Sequence, residues 1–295
     1  MTIHPTLHTT KALFIFILRF RTFCLCLCIG LTANCAAQSG FQPHYIAVAP
    51  GLDYAHILST NQPWSIHVAR LDRSRHDFSI VSTLGREHIQ GLSPVRAQAG
   101  SVPPAQGRAL AAVNGDFFVI KPGPYQGDPQ GLQILYGELI REPASVSFWV
   151  EGNDLHIEKI TSRMSLVWPD GQRTPLGLNQ APRTNTAVLF TPIFGSSTRA
   201  TNYAELTLEG IAGHPWLPLR AGHTYPARVR DITLAGNSTL TPPEGTNAQS
   251  PIAVITLGWM LTNHLAAVKP GSLLQFSTEL STDLSQASAA IGGGP

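Results

Sequence analysis

The chain has 295 residues, of which 43% are hydrophobic and only 13% charged, with 20 basic residues against 18 acidic ones. An average soluble protein is about 25% charged, and so apolar a chain with so small a net charge excludes disorder. The length suits one large domain or two ordinary ones. The 26 Gly and 23 Pro, clustered at Pro103-Pro104, Pro122-Gly123-Pro124 and Pro242-Pro243, favour short strands and ordered loops over a helical bundle.

Residues 1–37 read as a secretory signal peptide. Lys11, Arg19 and Arg21 are its only charges, Thr22–Ala33 is mostly apolar, and Asn34-Cys35-Ala36-Ala37 precedes Gln38 as a cleavage point. The apolar core falls short of the roughly 20 residues that span a bilayer, although a second run, Ala12–Leu18, keeps an uncleaved anchor as the alternative. Cys24, Cys26, Cys28 and Cys35 all lie in this leader, so the mature chain carries no thiol and no disulfide. Without the leader 17 basic residues face 18 acidic ones, and the net charge moves from +2 to −1. There is no basic stripe and no aromatic–basic interleaving, which argues against nucleic acid as a partner. The expected location is periplasmic or extracellular, with no stable membrane insertion once the leader is removed.

In the mature chain, His44–Ala49 and the partly alternating Trp64–Asp72 predict strands, and Phe78–Val81 a short one. Pro94–Ala109 predicts loop with at most one helical turn. Ala111-Ala112-Val113 predicts a buried strand. It runs into Asn114-Gly115, a strong turn signal because both residues tolerate positive φ, and then Asp116-Phe117-Phe118. The turn would hold an amide and a carboxylate at one rim, with the two Phe closing off water. The same residues read equally as a hairpin turn with a two-Phe anchor. The Pro- and Gly-punctuated loop 121–131 follows, either a cover over that rim or a surface excursion.

Strands are predicted at Leu132–Leu135, Tyr136–Ile140, Ser147–Glu151, Leu155–Ile160 and Ser165–Trp168, with turns at Gly152-Asn153-Asp154 and Pro169-Asp170-Gly171. A second unusual run, Gly177-Leu178-Asn179-Gln180-Ala181-Pro182-Arg183, leads into the strand Thr186–Phe190. Then Thr191-Pro192-Ile193-Phe194-Gly195-Ser196-Ser197-Thr198 offers hydroxyls and backbone N–H groups to a sugar or phosphate oxygen, with Thr191, Ser197 and Thr198 as contacts; an ordinary hydroxyl-rich turn has the same composition. Further strands are predicted at Ala204–Glu209, Tyr225–Leu234, Ile252–Leu257 and Leu273–Leu280. Gly258–Val268 is the best helix candidate, with Leu261, Leu265 and Val268 on one face and His264 packed rather than ligating. Gly292, Gly293 and Gly294 end the chain as a frayed tail or as backbone that approaches something closely.

Taken in order, AAVNGDFF, GLQILYGELI, LNQAPRTNTAVLFTPIFGSST, VKPGSLLQF and AAIGGGP resemble the phosphodiester glycosidase family, which includes the uncovering enzyme that removes N-acetylglucosamine from a phosphodiester and bacterial exopolysaccharide-related exported proteins. The resemblance runs from about Pro50 to Pro295. It implies a strand-rich α+β domain over residues 38–295, mixed sheets with few helices, and hydrolysis of a sugar-1-phosphodiester. It implies Asn114, Gly115 and Asp116 as one wall of the site, with Gly292, Gly293 and Gly294 as backbone beside it. Family members continue with Asp-Gly-Arg and Asp-Gly-Gly-Gly-Ser stretches that are absent here, which implies that the C-terminal part of the domain is missing.

The chemistry follows from the leaving group. A glycosidase uses two carboxylates, one of which protonates the leaving oxygen. A phosphate ester departs as a stabilised anion, so a single well-placed carboxylate and donors for the phosphate oxygens become the main needs. Asp116 is the candidate carboxylate, and Asn114 orients it or binds a sugar hydroxyl. No cofactor is implied. The nine mature histidines show no ligand spacing, so no metal is assigned, although an oxygen-held ion at Asp116 stays open. The rival expectations are a glycan-binding envelope module without turnover and an inactive fragment.

Overall fold

The computed structural model describes residues 43–59, 61, 63–241 and 252–293. The expected leader, with all four cysteines, and Gly294 lie outside the described residues.

Three sheets account for the fold. The first is an antiparallel meander of β1 (Ile46–Ala49), β2 (Leu52–Ser59) and β3 (Trp64–Leu71). The second comprises β4 (Gln133–Leu135), β5 (Glu138–Arg141), β6 (Val146–Glu151) and β7 (Asp154–Lys159). Its fifth and central strand comes from the far end of the chain. The third is a closed seven-stranded barrel, built from β8 (Ser165–Val167), β9 (Arg173–Leu178), β10 (Ala187–Phe190), β11 (Ala204–Gly210), β12 (Thr224–Thr233), β13 (Ile252–Leu257) and β14 (Leu273–Ser277). Around the barrel the order is β10-β13-β11-β12-β14-β8-β9, and only β9 and β10 run parallel.

The barrel strands show why they sit at the centre. Ala187 and Leu189 of β10 face one apolar cluster, whereas Val188 and Phe190 face another; Ala253, Ile255 and Leu257 of β13 divide in the same way from Ile252 and Val254. A strand buried on both faces reads as a continuous apolar run rather than an alternating one. The larger cluster continues from the barrel into the five-stranded sheet through Leu132, Ile134, Leu139 and Trp149, so one core serves both.

The expected α+β class is corrected to nearly all β, with a closed barrel. Among the described residues the α-helical element is six residues, Val95–Gly100, too short to form a layer against a sheet. The helix candidate at Gly258–Val268 is a 3-10 helix over Trp259–Ala267, in which only Leu261 is buried. His264 packs flat on Trp168, with ring centroids 4.4 Å apart. Phe78–Val81 and Ala111–Val113 form no strand. Val113 is 88% exposed, so the run before Asn114 is an extended surface segment and not a buried strand.

The last strand, β15 (Ala289–Gly292), lies between β4 and β6 and completes the order β5-β4-β15-β6-β7. Ala290 pairs with Ile134 on one side and Trp149 on the other. The terminal glycine run is therefore the end of a central strand and not a tail as far as Gly293, whose N–H still bonds the Val146 carbonyl.

Candidate functional site

The loop that follows Asn114 closes on its own origin. Asp116 Oδ1 accepts from the Phe117 N–H at 2.7 Å, and Oδ2 accepts from the Gly131 N–H. Between these points the chain folds back as an irregular hairpin. Gln130 N bonds Phe117 O, Val119 N bonds Asp128 O, and Gly127 N bonds Val119 O. One carboxylate thus clasps both ends of a Pro- and Gly-rich excursion, which answers the loop's need for backbone partners without a regular ladder.

Three glycines set the position of this carboxylate. A methyl group added at Gly131 would meet Asp116 Oδ2 at 2.6 Å. One at Gly292 would meet the same oxygen at 2.6 Å and Gly131 Cα at 2.8 Å. One at Gly115 would meet Ile291 Cδ1 at 1.8 Å. Asn114-Gly115 is not the expected tight turn: neither residue has positive φ, and the chain bends only at Asp116. The Asn114–Asp116 segment instead presses against Ile291 and Gly292 of β15, at a distance that only missing side chains permit. Segments remote in sequence meet at this carboxylate.

Asn114, Gly115, Asp116, Phe117 and Phe118 line a cavity of about 800 Å³, bounded on other sides by Leu84, Gln98, Leu132, Phe148 and Ile291. Its size and its mainly apolar wall with a few polar groups are those of a small-molecule site. Phe117 is 59% and Phe118 39% exposed, so the two rings do not close water off from Asp116. Burial pushes the Asp116 carboxyl above the usual carboxylate range, against the pull of the Phe117 and Gly131 N–H groups and of Arg141.

Behind Asp116 lies a buried ionic layer. Arg141, at the end of β5, is 7% exposed and donates from Nη1 to the carbonyls of Leu178 and Asn179 at 3.1 and 3.0 Å. It thereby joins the five-stranded sheet to the end of β9. Asp128, 3% exposed, places Oδ1 at 3.6 Å from the same Nη1. Neither Asp128 Oδ1 nor Arg141 Nε has a hydrogen-bond partner within the protein. Burial pushes Asp128 up to about 7, with Arg141 opposing. Glu142 is also raised, chiefly by burial, and accepts a hydrogen bond from Gln180 Nε2. One guanidinium thus serves Asp128, Glu142 and Asp116, while burial lowers its own pKa.

The second unusual run reaches this layer through Asn179. Its backbone is left-handed, with φ 49°, which a short amide side chain tolerates. Its Nδ2 donates to Ile140 O and Thr191 Oγ1, and its Oδ1 accepts from Thr191 N. Thr191 is thus buried beside the ionic layer. Ser197 and Thr198 belong elsewhere: Thr198 Oγ1 donates to the buried Glu205, which also binds Thr256 Oγ1 and Ser238 N, and Ser197 Oγ bonds Asn237 Oδ1. Of the expected site residues, Asn114, Gly115, Asp116 and Gly292 come together, with Gly293 directly after the strand. Gly294 lies outside the described residues. Asp128, Arg141 and Glu142 were not anticipated, although Arg141-Glu142 directly after the apolar Leu139-Ile140 is an unusual charge pair in so weakly charged a chain.

No protein-family model matches the chain, and no curated protein does so. Among solved structures, a crystal structure of a hypothetical protein from Synechocystis is similar over 86% of this chain, with a TM-score of 0.61 and 14% sequence identity. The match takes in 44% of that longer chain, and it is a likeness of fold alone.

Proposed function

We propose that the chain is an exported phosphodiester glycosidase, a hydrolase that cleaves the anomeric C–O bond of a sugar-1-phosphodiester in envelope or extracellular polysaccharide. The observation that carries this reading is the placement of Asp116: a carboxylate clamped by glycine backbone at the wall of a cavity of about 800 Å³, with its pKa raised. A fixed carboxylate needs no reorganisation when charge develops at the anomeric carbon. A raised pKa brings it nearer the range in which a general base or acid works at neutral pH. Asn114 and Gly115 share the wall, and Arg108 brings a cation for a phosphate oxygen to the same cavity. The buried Arg141 steadies the anionic form of Asp116 from behind. The location outside the cytoplasm rests on the leader pattern.

A second reading, a glycan-binding module without turnover, is favoured by one feature. Phe117 and Phe118 stand half-open beside Asp116, as aromatic surfaces for the apolar face of a sugar ring. The test is incubation of the purified chain with the methyl phosphodiester of N-acetylglucosamine 1-phosphate. Release of free sugar and methyl phosphate, lost about 100-fold or more in Asp116→Asn, supports the hydrolase. Binding by calorimetry with no release supports the module instead.

A further inference from the structure

We propose that the exposed stretch of the β2–β3 pair carries a binding site for a divalent transition metal of the imidazole-preferring class, with Cu²⁺ first, held by His56 and His67. The two residues are direct cross-strand partners on β2 and β3. Their rings lie face to face, 4.3 Å between centroids and 6° from parallel, and both residues are exposed. The Nε2 atoms of both rings converge on one oxygen: Ser65 Oγ lies 2.8 Å from His56 Nε2 and 3.4 Å from His67 Nε2.

The hydrogen bonding leaves a place for a cation. Tyr54 Oη is 2.6 Å from His67 Nδ1. When Nδ1 donates to that oxygen, Nε2 of His67 keeps its lone pair, as in metal-ligating histidines whose other nitrogen is oriented by an outer partner. Ser65 carries one proton, which it can donate to only one of the two Nε2 atoms. With His56 protonated at Nδ1, two imidazole lone pairs share one donor, and a divalent ion at that point satisfies both. A tilt of each ring about its Cβ–Cγ bond, a broad torsion, brings the lone pairs onto one centre. Asp53 and Arg70, which alternate with these residues, point to the opposite face and pair with each other at 2.7 Å, so they do not compete. Among the described residues no group of three or more His, Cys, Asp or Glu is arranged to hold a metal. The remaining positions on the ion therefore go to water and Ser65, which makes this an open, two-imidazole site. Neutral imidazoles select Cu²⁺, Ni²⁺ and Zn²⁺ over Mg²⁺, and Cu²⁺ heads the affinity order.

Titration of the purified mature chain, which lacks the four leader cysteines, with CuCl₂, NiCl₂ and MgCl₂, followed by calorimetry and by electron paramagnetic resonance for copper, tests the site. The expected result is one tight Cu²⁺ equivalent with nitrogen hyperfine structure, weaker Ni²⁺ and no Mg²⁺ uptake. His56→Ala and His67→Ala each weaken Cu²⁺ at least tenfold, and Tyr54→Phe weakens it several-fold with both imidazoles retained. His56 and His67 are exposed and Tyr54 is half-buried, and unchanged circular dichroism of the variants checks that they fold. The site is overturned if the wild-type chain takes up no copper, or if His56→Ala/His67→Ala keeps the same stoichiometry and affinity.

Discussion

Gly115 and Gly292 carry the same kind of constraint with different consequences. A methyl group at Gly115 meets the far end of the Ile291 side chain, which can rotate away. At Gly292 the obstacle is the Asp116 carboxylate, held at both oxygens by backbone N–H groups, together with the backbone of Gly131. Gly292→Ala is therefore expected to cost about 1–3 kcal/mol by overpacking. Under the proposed function, displacement of Asp116 lowers turnover far more in Gly292→Ala than in Gly115→Ala; chemical denaturation and initial-rate assays of the two variants separate these effects. Asp128 leads to a pH prediction. Its carboxyl holds a proton up to about 7 in the folded protein, against an ordinary value of 3.8. Folding accordingly takes up a proton between these values, and this group's contribution to stability is full below about pH 4 and lost as pH rises through 7. Asp116, Glu138 and Glu142, all raised by burial, act in the same direction. The thermal midpoint should decline from pH 4 to 7 under constant ionic strength, with a shallower decline in Asp128→Asn. An equal slope in the variant would remove Asp128 from this role.

At the scale of elements, β15 decides whether a five-stranded sheet exists. Ala290 is buried between Ile134 and Trp149, so Ala290→Asp places an unpaired charge in a central strand and is expected to cost roughly 3–5 kcal/mol. Ile157→Thr on the exposed face of β7 should stay within about 0.5 kcal/mol, and urea midpoints of both check the contrast. Much of this organisation was legible in the sequence. β3, β6, β10, β11 and β13 are apolar or alternating runs bounded by turn residues, and local chemistry is enough to mark them. β15 was not legible, because Ala-Ala-Ile-Gly ahead of further glycines has the composition of a tail, and its strand character comes from two partners far away in sequence. The segment before Asn114 failed in the opposite direction. Ala-Ala-Val has strand composition but no neighbour to pair with, and it lies open on the surface. The meeting of Asp116 with Gly292 was expected from resemblance, whereas Asp128 and Arg141 are brought to the same place by the loop's return and by β5.

For the whole molecule, the barrel and the five-stranded sheet share one core, and the cavity lies beside the sheet near the end where β15 stops. Phe276 is fully buried in the barrel, stacked 5.3 Å from Tyr225 and edge-on to Trp216 at 5.9 Å. Phe276→Ala should cost about 3–5 kcal/mol and lower the melting midpoint of the whole fold, rather than remove one element. A separate early transition for the barrel in scanning calorimetry would contradict the shared core. The proposed function rests on a carboxylate fixed at a cavity wall facing a sugar joined to phosphate. It is tested most directly by single-turnover assay of the methyl phosphodiester of N-acetylglucosamine 1-phosphate with the wild-type chain and Asp116→Asn. Free sugar released by the first and reduced about 100-fold or more in the second is the expected result; equal release from both, or none from the wild-type chain, would contradict it.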